Sequence, residues 1–209
     1  VIVGGLDLGR LEDRSALAIV DDQAGQYTAR HLDLWSPAHP EFADVPARIG
    51  PALEQHGPAL AIDAGGLGRD VFPMIARHPA TQSVDLWGLV ATHGWRPPRQ
   101  RWEKGGVIFV PKGQLIRPFF RALEEHRFTF PRHLLLAHVL RTEIENYRQW
   151  EGPDGLPRWG AKKPQHDDLI TAVILAVWLA ETIRTRPVGG FRPTRPKEGT
   201  WTRAGLTSE

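Results

Sequence analysis

The first third of the chain alternates short apolar runs with polar connections. Residues 1–8, 15–22 and 26–35 are rich in Val, Ile and Leu, and the polar segments GRLEDR and DQAG separate them. Apolar runs of this length between turn-forming residues are typical of strands. The pattern therefore predicts three strands joined by tight connections in an antiparallel meander.

Beyond residue 41 the pattern changes to alternating helices and strands. In chain order it predicts a helix over 42–56, a strand over 59–63, a helix beginning in 66–78, a strand over 84–91, a strand and a helix over 107–127, and a helix over 133–150. This succession predicts an α/β fold with a mixed β-sheet, three antiparallel strands followed by parallel strands, and helices on both faces.

Two stretches near the end of the chain carry separate signals. The apolar run from Leu169 to Ala180 is too short to span a bilayer and is charged at both ends, so it predicts a buried helix; the apolar residues of 133–140 are assigned to the core as well. Between them, the Asp154-Gly155 turn signal predicts a hairpin in which Trp150 and Trp159 pair. Residues 1–186 are expected to form one domain, and 187–209 a flexible Pro-, Gly- and Arg-rich tail.

Composition narrows the chemistry that this domain could carry. The net charge is only +2, but most of the 26 cationic residues are Arg, whose guanidinium group can bind a phosphate through two hydrogen bonds. The chain has no Cys, which excludes disulfides and thiolate metal sites. Any metal must be held by carboxylate, His or water, and such hard ligands favour Mg²⁺ or Mn²⁺.

Three aspartates stand at positions where a metal site could form. Asp7 ends the first predicted strand, Asp63 ends the fourth, and Asp168 begins the final helix. If the two strands are neighbours, the carboxylates of Asp7 and Asp63 lie about 5 Å apart and repel each other unless a cation separates them. Three such oxygen ligands suit two divalent ions and predict phosphodiester hydrolysis.

The acidic pair at the start of the last helix has two possible roles. Asp168 shares a helix face with Ala172 and Ala176, and small residues on that face would let the helix lie close to the sheet, so Asp168 is the favoured ligand. Asp167 is either a further ligand or the helix cap. His166 is either a surface residue or a second-shell donor that protonates the leaving group, and Asp13 is either a solvated turn residue or an outer-shell contact.

Cationic residues in three segments are candidates for contacts to DNA. The Pro- and Trp-containing segment WRPPRQRWEK is either a DNA-contacting loop or a connector, the predicted hairpin could guide DNA into the site, and the lysine of FVPKG could reach a phosphate. The candidate residues are Arg99, Arg101, Lys104, Lys112, Arg158, Lys162 and Lys163.

The sequence resembles the nuclease domain of the large terminase subunit of tailed phages. The resemblance covers most of residues 1–184, and its most specific parts are HDDL with the apolar helix that follows, and the succession VPK, FP and LRTEIENYR. It implies a ribonuclease-H-like fold, related to RuvC-type resolvases, that cuts concatemeric DNA during genome packaging with two Mg²⁺ or Mn²⁺ ions. The metal-binding acids of the family map onto Asp7, Asp63 and the pair Asp167 and Asp168.

The same resemblance implies partners and a place of action. These are double-stranded DNA, an upstream ATPase motor domain, a portal and a small terminase subunit, in the host cytoplasm and away from membranes. No P-loop of the form G-x-x-x-x-G-K-S/T occurs, in agreement with a C-terminal piece of a longer protein. The alternatives are a RuvC-like junction resolvase, an actin-like ATPase or kinase-fold domain, for which DAGGLG is a partial match, and a docking module without catalysis.

Overall fold

The computed structural model describes most of the predicted domain. It covers residues 1–9, 14–36, 44–57, 59–66, 68–92, 107–161 and 166–185. The predicted tail at 187–209 and the WRPPRQRWEK segment lie outside the described residues. No helix in the described ranges is long and apolar enough to cross a membrane.

Seven strands form one mixed sheet, and two further strands form a separate hairpin. The strands are β1 Ile2–Asp7, β2 Ser15–Gln23, β3 Gln26–Trp35, β4 Ala59–Asp63, β5 Leu86–Thr92, β6 Val107–Pro111, β7 Phe128–Thr129, β8 Arg148–Glu151 and β9 Pro157–Gly160. The sheet order is β6-β5-β4-β1-β2-β3-β7, and β8 pairs with β9. Strands β1, β2 and β3 are antiparallel, while β4, β5 and β6 extend the sheet in parallel from β1. The predicted fold class is confirmed.

The turn between β2 and β3 shows why the meander forms where the sequence predicts it. Ala24 and Gly25 both adopt positive φ, at 55° and 92°. The side chain of Asp22 accepts a hydrogen bond from the Gly25 N–H at 2.6 Å. A two-residue connection with this geometry joins adjacent antiparallel strands directly.

Five helices cover the two faces of the sheet. They are α1 Val45–His56, α2 Gly68–Arg77, α3 Lys112–Glu124, α4 Ala137–Asn146 and α5 Asp168–Thr185. Helices α1 and α2 share one apolar core with the sheet, and α3, α4 and α5 share the other. A short 3₁₀ turn, Pro79–Thr81, precedes β5.

Helix α5 lies directly on the centre of the sheet. A Cβ atom added to Gly5 of β1 would collide with the carbonyl oxygen of Ala172 and would lie 2.8 Å from the Ala176 nitrogen. The absence of a side chain at Gly5 therefore permits the close approach that the small residues of α5 predict. This contact aligns the first turn of α5 with the end of β1.

The region around α4 differs from its prediction. The helix spans only Ala137–Asn146, and Arg148–Glu151 is a strand of the hairpin. Within the apolar stretch 133–140 only Ala137 and Leu140 are buried, and Leu135 is 76 % exposed. Leu136 has φ 66°, a conformation that a helix interior does not allow, so the helix begins after it.

The hairpin register also corrects one expectation. Trp150 lies opposite Arg158, and Trp159 lies opposite Gln149, so the two Trp residues do not pair directly. Side chains at neighbouring positions of a strand point to opposite faces. A shift of one residue from the expected register therefore places the two indole rings on opposite faces of the hairpin.

Candidate metal centre

Asp7 and Asp63 lie side by side at one edge of the sheet. Strands β1 and β4 are adjacent and parallel, and Leu6 lies opposite Ile62, so the two strands end on these aspartates. The pKa of Asp7 is raised well above its usual range, first by burial and then by the negative charges of Asp63, Asp168 and Asp167. Three other carboxylates therefore act on Asp7 at this edge.

Asp63 is held by the turn that follows β4. Its Oδ1 accepts a hydrogen bond from the Gly65 N–H at 2.7 Å. Burial raises the pKa of Asp63, while this hydrogen bond and the positive charge of Lys112 oppose the rise. The side chain is thus oriented by its own turn and keeps a second oxygen for other ligands.

Asp168, the first residue of α5, is the most buried of these acids, with 6 % exposure. Its Oδ2 lies 3.6 Å from the Arg14 Nε and 3.6 Å from the His166 Nδ1. Since α5 packs on Gly5, the carboxylate points to the same edge of the sheet as Asp7, and its charge acts on Asp7.

The side chain of Asp167 contacts the hairpin and does not cap α5, while its role as a further metal ligand stays a prediction. Its Oδ2 accepts a hydrogen bond from the Ala161 N–H at 3.1 Å, directly after β9. Its backbone carbonyl oxygen accepts the Thr171 N–H, the first hydrogen bond of α5. The side chain therefore fastens the end of the hairpin to the start of the helix.

Glu143 of α4 supplies the side-chain cap that the sequence suggests for Asp167. Its Oε2 accepts a hydrogen bond from the Ile170 N–H in the first turn of α5 at 2.9 Å. The carboxylate is 4 % exposed, and within the described residues its Oε1 has no hydrogen-bond partner. Burial, and after it the charge of Asp168, raises the pKa of Glu143 to about 7.

Sequence reasoning did not select Glu143. Its signal was present, because Glu143 is the first acid of the segment LRTEIENYR, one of the most specific parts of the resemblance. An acid on the predicted core face of a helix needs a partner, and the start of α5 provides one.

Lys112, at the start of α3, stands between the acids and the hairpin. Its Nζ donates a hydrogen bond to the carbonyl oxygen of Trp159 at 2.9 Å. Its positive charge also lowers the pKa of Asp7 and of Asp63, which places the ammonium group near both. The sequence predicted a phosphate contact for Lys112, and the structure shows a contact to the hairpin backbone.

The other candidate contacts are only partly described. Arg158 is exposed on β9 and forms an ion pair with Asp154, Nη2 to Oδ2, at 3.3 Å. The remaining candidates lie outside the described residues: Asp13, Arg99, Arg101, Lys104, Lys162 and Lys163.

The donor set of this edge fits a hard divalent cation. Carboxylate oxygens are the ligands that Mg²⁺ and Mn²⁺ prefer, and a cation would relieve the repulsion that raises the pKa of Asp7. Within the described part of the chain, no three His, Cys, Asp or Glu side chains stand close enough together to hold an ion.

The fold is ribonuclease-H-like, and the solved structures that it resembles are large terminase nuclease domains. The cobalt-bound nuclease of the large terminase from thermophilic phage G20c is 20 % identical, with a TM-score of 0.63 over 85 % of this chain and 80 % of that one. The human cytomegalovirus terminase nuclease domain, with manganese and an inhibitor, is 15 % identical, with a TM-score of 0.56 over 87 % and 83 %. The resemblance predicted from the sequence is confirmed in the fold.

A third similar structure extends the comparison to another phage. The nuclease domain of the bacteriophage SPP1 large terminase, with bound manganese, is 16 % identical, with a TM-score of 0.52 over 84 % of each chain. No protein-family model and no curated protein matches this chain. At these identities the comparisons establish the fold.

Proposed function

We propose that this chain is the nuclease domain of a phage large terminase and cuts concatemeric viral DNA during packaging by metal-dependent phosphodiester hydrolysis. One observation carries the proposal: Asp7, Asp63 and Asp168 come from three separate elements, and the charges of Asp63 and Asp168 both act on Asp7 at a single edge of the sheet. The fold neighbours support it, because they are terminase nuclease domains and several contain Mg²⁺, Mn²⁺ or Co²⁺.

Asp7, Asp63 and Asp168 would hold two Mg²⁺ or Mn²⁺ ions, with Asp167 as a further carboxylate. Such ions, when bound, lower the pKa of water and stabilise the leaving oxygen of a phosphodiester. The residues around them orient the acids, because the Gly65 N–H holds Asp63 and the packing of α5 on Gly5 holds Asp168.

Two side chains beside the acids have proposed roles with the substrate. His166 is exposed, and its Nδ1 lies 3.6 Å from Asp168 Oδ2, so it is placed to supply a proton to the leaving oxygen. The ammonium group of Lys112 acts on both Asp7 and Asp63 and would attract a phosphate to the same place.

The proposed setting follows from the neighbours, which are domains of large terminases. The substrate would be double-stranded DNA delivered by an upstream ATPase motor domain. The portal and the small terminase subunit would be further partners, in the host cytoplasm.

A plasmid assay tests the proposal. Supercoiled DNA is incubated with the protein and EDTA, Mg²⁺ or Mn²⁺, beside a linear duplex and a synthetic four-way junction. We expect nicked and linear products with either metal, none with EDTA, and little preference for the junction. A folded protein that cuts no DNA with either metal would contradict the nuclease proposal, and strong preference for the junction would favour the resolvase.

A further inference from the structure

A groove of about 550 Å³ runs between α3 and the β8–β9 hairpin, and we call it the α3–hairpin groove. Its walls carry three exposed arginines, Arg117 and Arg121 from α3 and Arg148 from β8, against a single acid, Glu124. Arg121 forms an ion pair with Glu125, the residue directly after α3, with 3.5 Å between Nε and Oε1. In the described ranges, Arg117 and Arg148 have no carboxylate within ion-pair distance, so their charges remain available to a ligand.

The inner end of the α3–hairpin groove meets the acid cluster. Tyr147 and Trp159 belong to the wall of the groove. Burial, and after it the charges of Asp167 and Asp7, raises the pKa of Tyr147, and the Trp159 carbonyl oxygen accepts a hydrogen bond from Lys112. The groove and the acids are therefore neighbours on the two sides of Tyr147 and Trp159.

We propose that the α3–hairpin groove binds the phosphodiester backbone of the DNA strand that extends from the cleavage site. This inference rests on the proposed nuclease function. Arg117 and Arg148 present guanidinium groups that match phosphate oxygens, while Tyr147 and Trp159 are buried and form the inner wall of the groove. The volume lies within the ~300–1,000 Å³ of pockets that hold nucleotide-sized ligands.

Binding in EDTA tests the groove without cleavage. Fluorescence anisotropy is measured with a labelled 20-base-pair duplex and with its single strand, over a series of salt concentrations. The variants are Arg117→Gln, Arg148→Gln and the double variant; Arg77→Gln is the matched control, because Arg77 is exposed on α2 at the opposite face of the sheet. Melting temperatures verify that each variant folds.

Each lost phosphate contact should reduce the slope of log affinity against log salt by about 0.9 for duplex or about 0.7 for a single strand. We expect a reduction near these values for each single variant, about twice as much for the double variant, and none for Arg77→Gln. If the salt-dependence slopes of the groove variants equal that of Arg77→Gln, the proposal that the groove binds DNA is wrong. It is also wrong if the wild-type protein binds neither the duplex nor the single strand. Wild-type protein that binds DNA through the groove but never cuts it would overturn only the nuclease proposal.

A separate contact carries a second inference, which concerns Glu143. Its hydrogen bond to the Ile170 N–H joins α4 to the first turn of α5, two residues after Asp168. We infer that Glu143 is a positioning residue, which fixes the start of α5 and through it the carboxylate of Asp168. Its relevance to metal binding rests on the proposed function.

Two substitutions separate the hydrogen bond from the charge. Glu143→Gln keeps an oxygen acceptor and Glu143→Ala removes it, so amide exchange at Ile170 should accelerate only in the alanine variant. The Mn²⁺ affinity, measured by calorimetry, should fall about 10–100-fold in Glu143→Ala, as for other residues that orient metal ligands, and stay within about threefold in Glu143→Gln.

The outcomes test the positioning role of Glu143 and the proposed metal binding separately. If the alanine variant leaves amide exchange at Ile170 and Mn²⁺ affinity unchanged, or the glutamine variant loses as much affinity as the alanine variant, the positioning role is wrong. If the wild-type protein binds no Mn²⁺, the metal proposal is wrong, and amide exchange still decides whether Glu143 holds the helix.

Discussion

The carboxylates at the sheet edge and the β8–β9 hairpin are neighbours, but they are supported differently. Asp7 and Asp63 end strands of the seven-stranded sheet, and Asp168 begins a helix that is packed on it. The hairpin is a separate two-stranded sheet, and all four residues of β8 are at least partly exposed. Two hydrogen bonds link it to the region of the acids: the Lys112 Nζ donates to the Trp159 carbonyl oxygen, and the Ala161 N–H donates to Asp167 Oδ2.

This difference indicates a division of roles. Carboxylates on packed elements keep their positions despite mutual repulsion, as a reaction centre requires. Side chains on an exposed hairpin adapt to a ligand at little cost to the core. Substitutions at the acids should therefore change chemistry and metal-free stability, whereas those on the hairpin should change DNA binding.

The largest effect is expected from Asp7→Asn. Removal of this ligand should lower plasmid cleavage more than about a hundredfold, beyond the ~10–100-fold typical of residues that only orient a ligand. Asp63→Asn and Asp168→Asn should behave alike. The metal-free protein should melt at the same or a higher temperature, because repulsion among the carboxylates is reduced.

Asp44→Asn is the matched control for these variants. Asp44 is exposed before α1, and its side chain makes no capping hydrogen bond. Cleavage by the control should equal that of the wild type. Substantial cleavage by Asp7→Asn would remove Asp7 from the centre.

The next largest effect that we expect is a loss of stability of the metal-free protein as the pH rises. The folded-state pKa values of Asp7 and Asp63 are raised, and that of Glu143 rises from 4.5 to about 7. The folded protein therefore binds more protons than the unfolded chain. The contribution of these groups to the free energy of unfolding is greatest below pH 4.5 and is lost as the pH rises to about 7 and beyond. The Glu143 contribution is on the order of 3 kcal/mol.

Melting temperatures in EDTA between pH 5 and about 8 measure this loss, and the comparison with Glu143→Gln isolates one group. The glutamine variant should lose less stability over the same range. Equal pH dependence in both proteins would show that Glu143 does not titrate there.

Gly5→Ala should destabilise the acid edge through packing alone. The new methyl group would collide with the α5 backbone at Ala172, and overpacking of this kind costs about 1–3 kcal/mol or more. Chemical denaturation measures the change. Gly50→Ala in α1 is the comparison, because its methyl group meets only the Cβ of Ala80, at 3.1 Å, and alanine favours the helix. Equal stability of the two variants would contradict the close helix–sheet contact.

Most of the carboxylate cluster at the ends of β1 and β4 could be predicted from patterns within single segments of the sequence. Asp7 and Asp63 directly follow apolar runs, so their place at strand ends was visible in the sequence. Ala172 and Ala176 predicted the close approach of α5, because small residues recur on one helix face. These features depend on neighbouring residues of the chain.

The contacts that the sequence did not predict join distant residues. Glu143 meets Ile170 across 27 positions, and the two-residue strand β7 pairs with β3 across about a hundred. Leu135 is exposed although it lies in an apolar run, and Leu134 and Leu136 are only partly buried against the core, because the positive φ of Leu136 starts α4 later than apolar spacing suggests. A pattern within one segment carries no information on which other segment will cover it.

The combined substitution by Ala of Arg158 on β9 and of Lys162 and Lys163, which follow it in the sequence, should weaken duplex binding roughly tenfold at moderate salt and flatten its salt dependence. Folding should change little, since Arg158 is exposed and its ion pair with Asp154 is a surface contact. Anisotropy in EDTA measures the affinity.

A control for the loss of three charges uses exposed arginines of other elements. These are Arg77, Arg132 and Arg141. If both triple variants bind DNA equally, net charge explains the loss and the hairpin has no special part.

The smallest effect is expected from Asp167→Asn, where we predict less than a tenfold loss of cleavage. An asparagine oxygen can still accept the Ala161 N–H, so the link between hairpin and helix is kept. Cleavage rates measured beside Asp168→Asn check the order. Equal loss in both would make Asp167 a principal ligand.

The separate pairing of β8 and β9 has a consequence for how such proteins diverge. In the described chain these strands form their own two-stranded sheet, and the exposed turn at Asp154 and Gly155 joins them. Insertions or deletions at this turn would lengthen or shorten the hairpin without shifting a strand of the seven-stranded sheet. Lineages could therefore exchange the surface that we propose to meet DNA while inheriting the carboxylate edge unchanged.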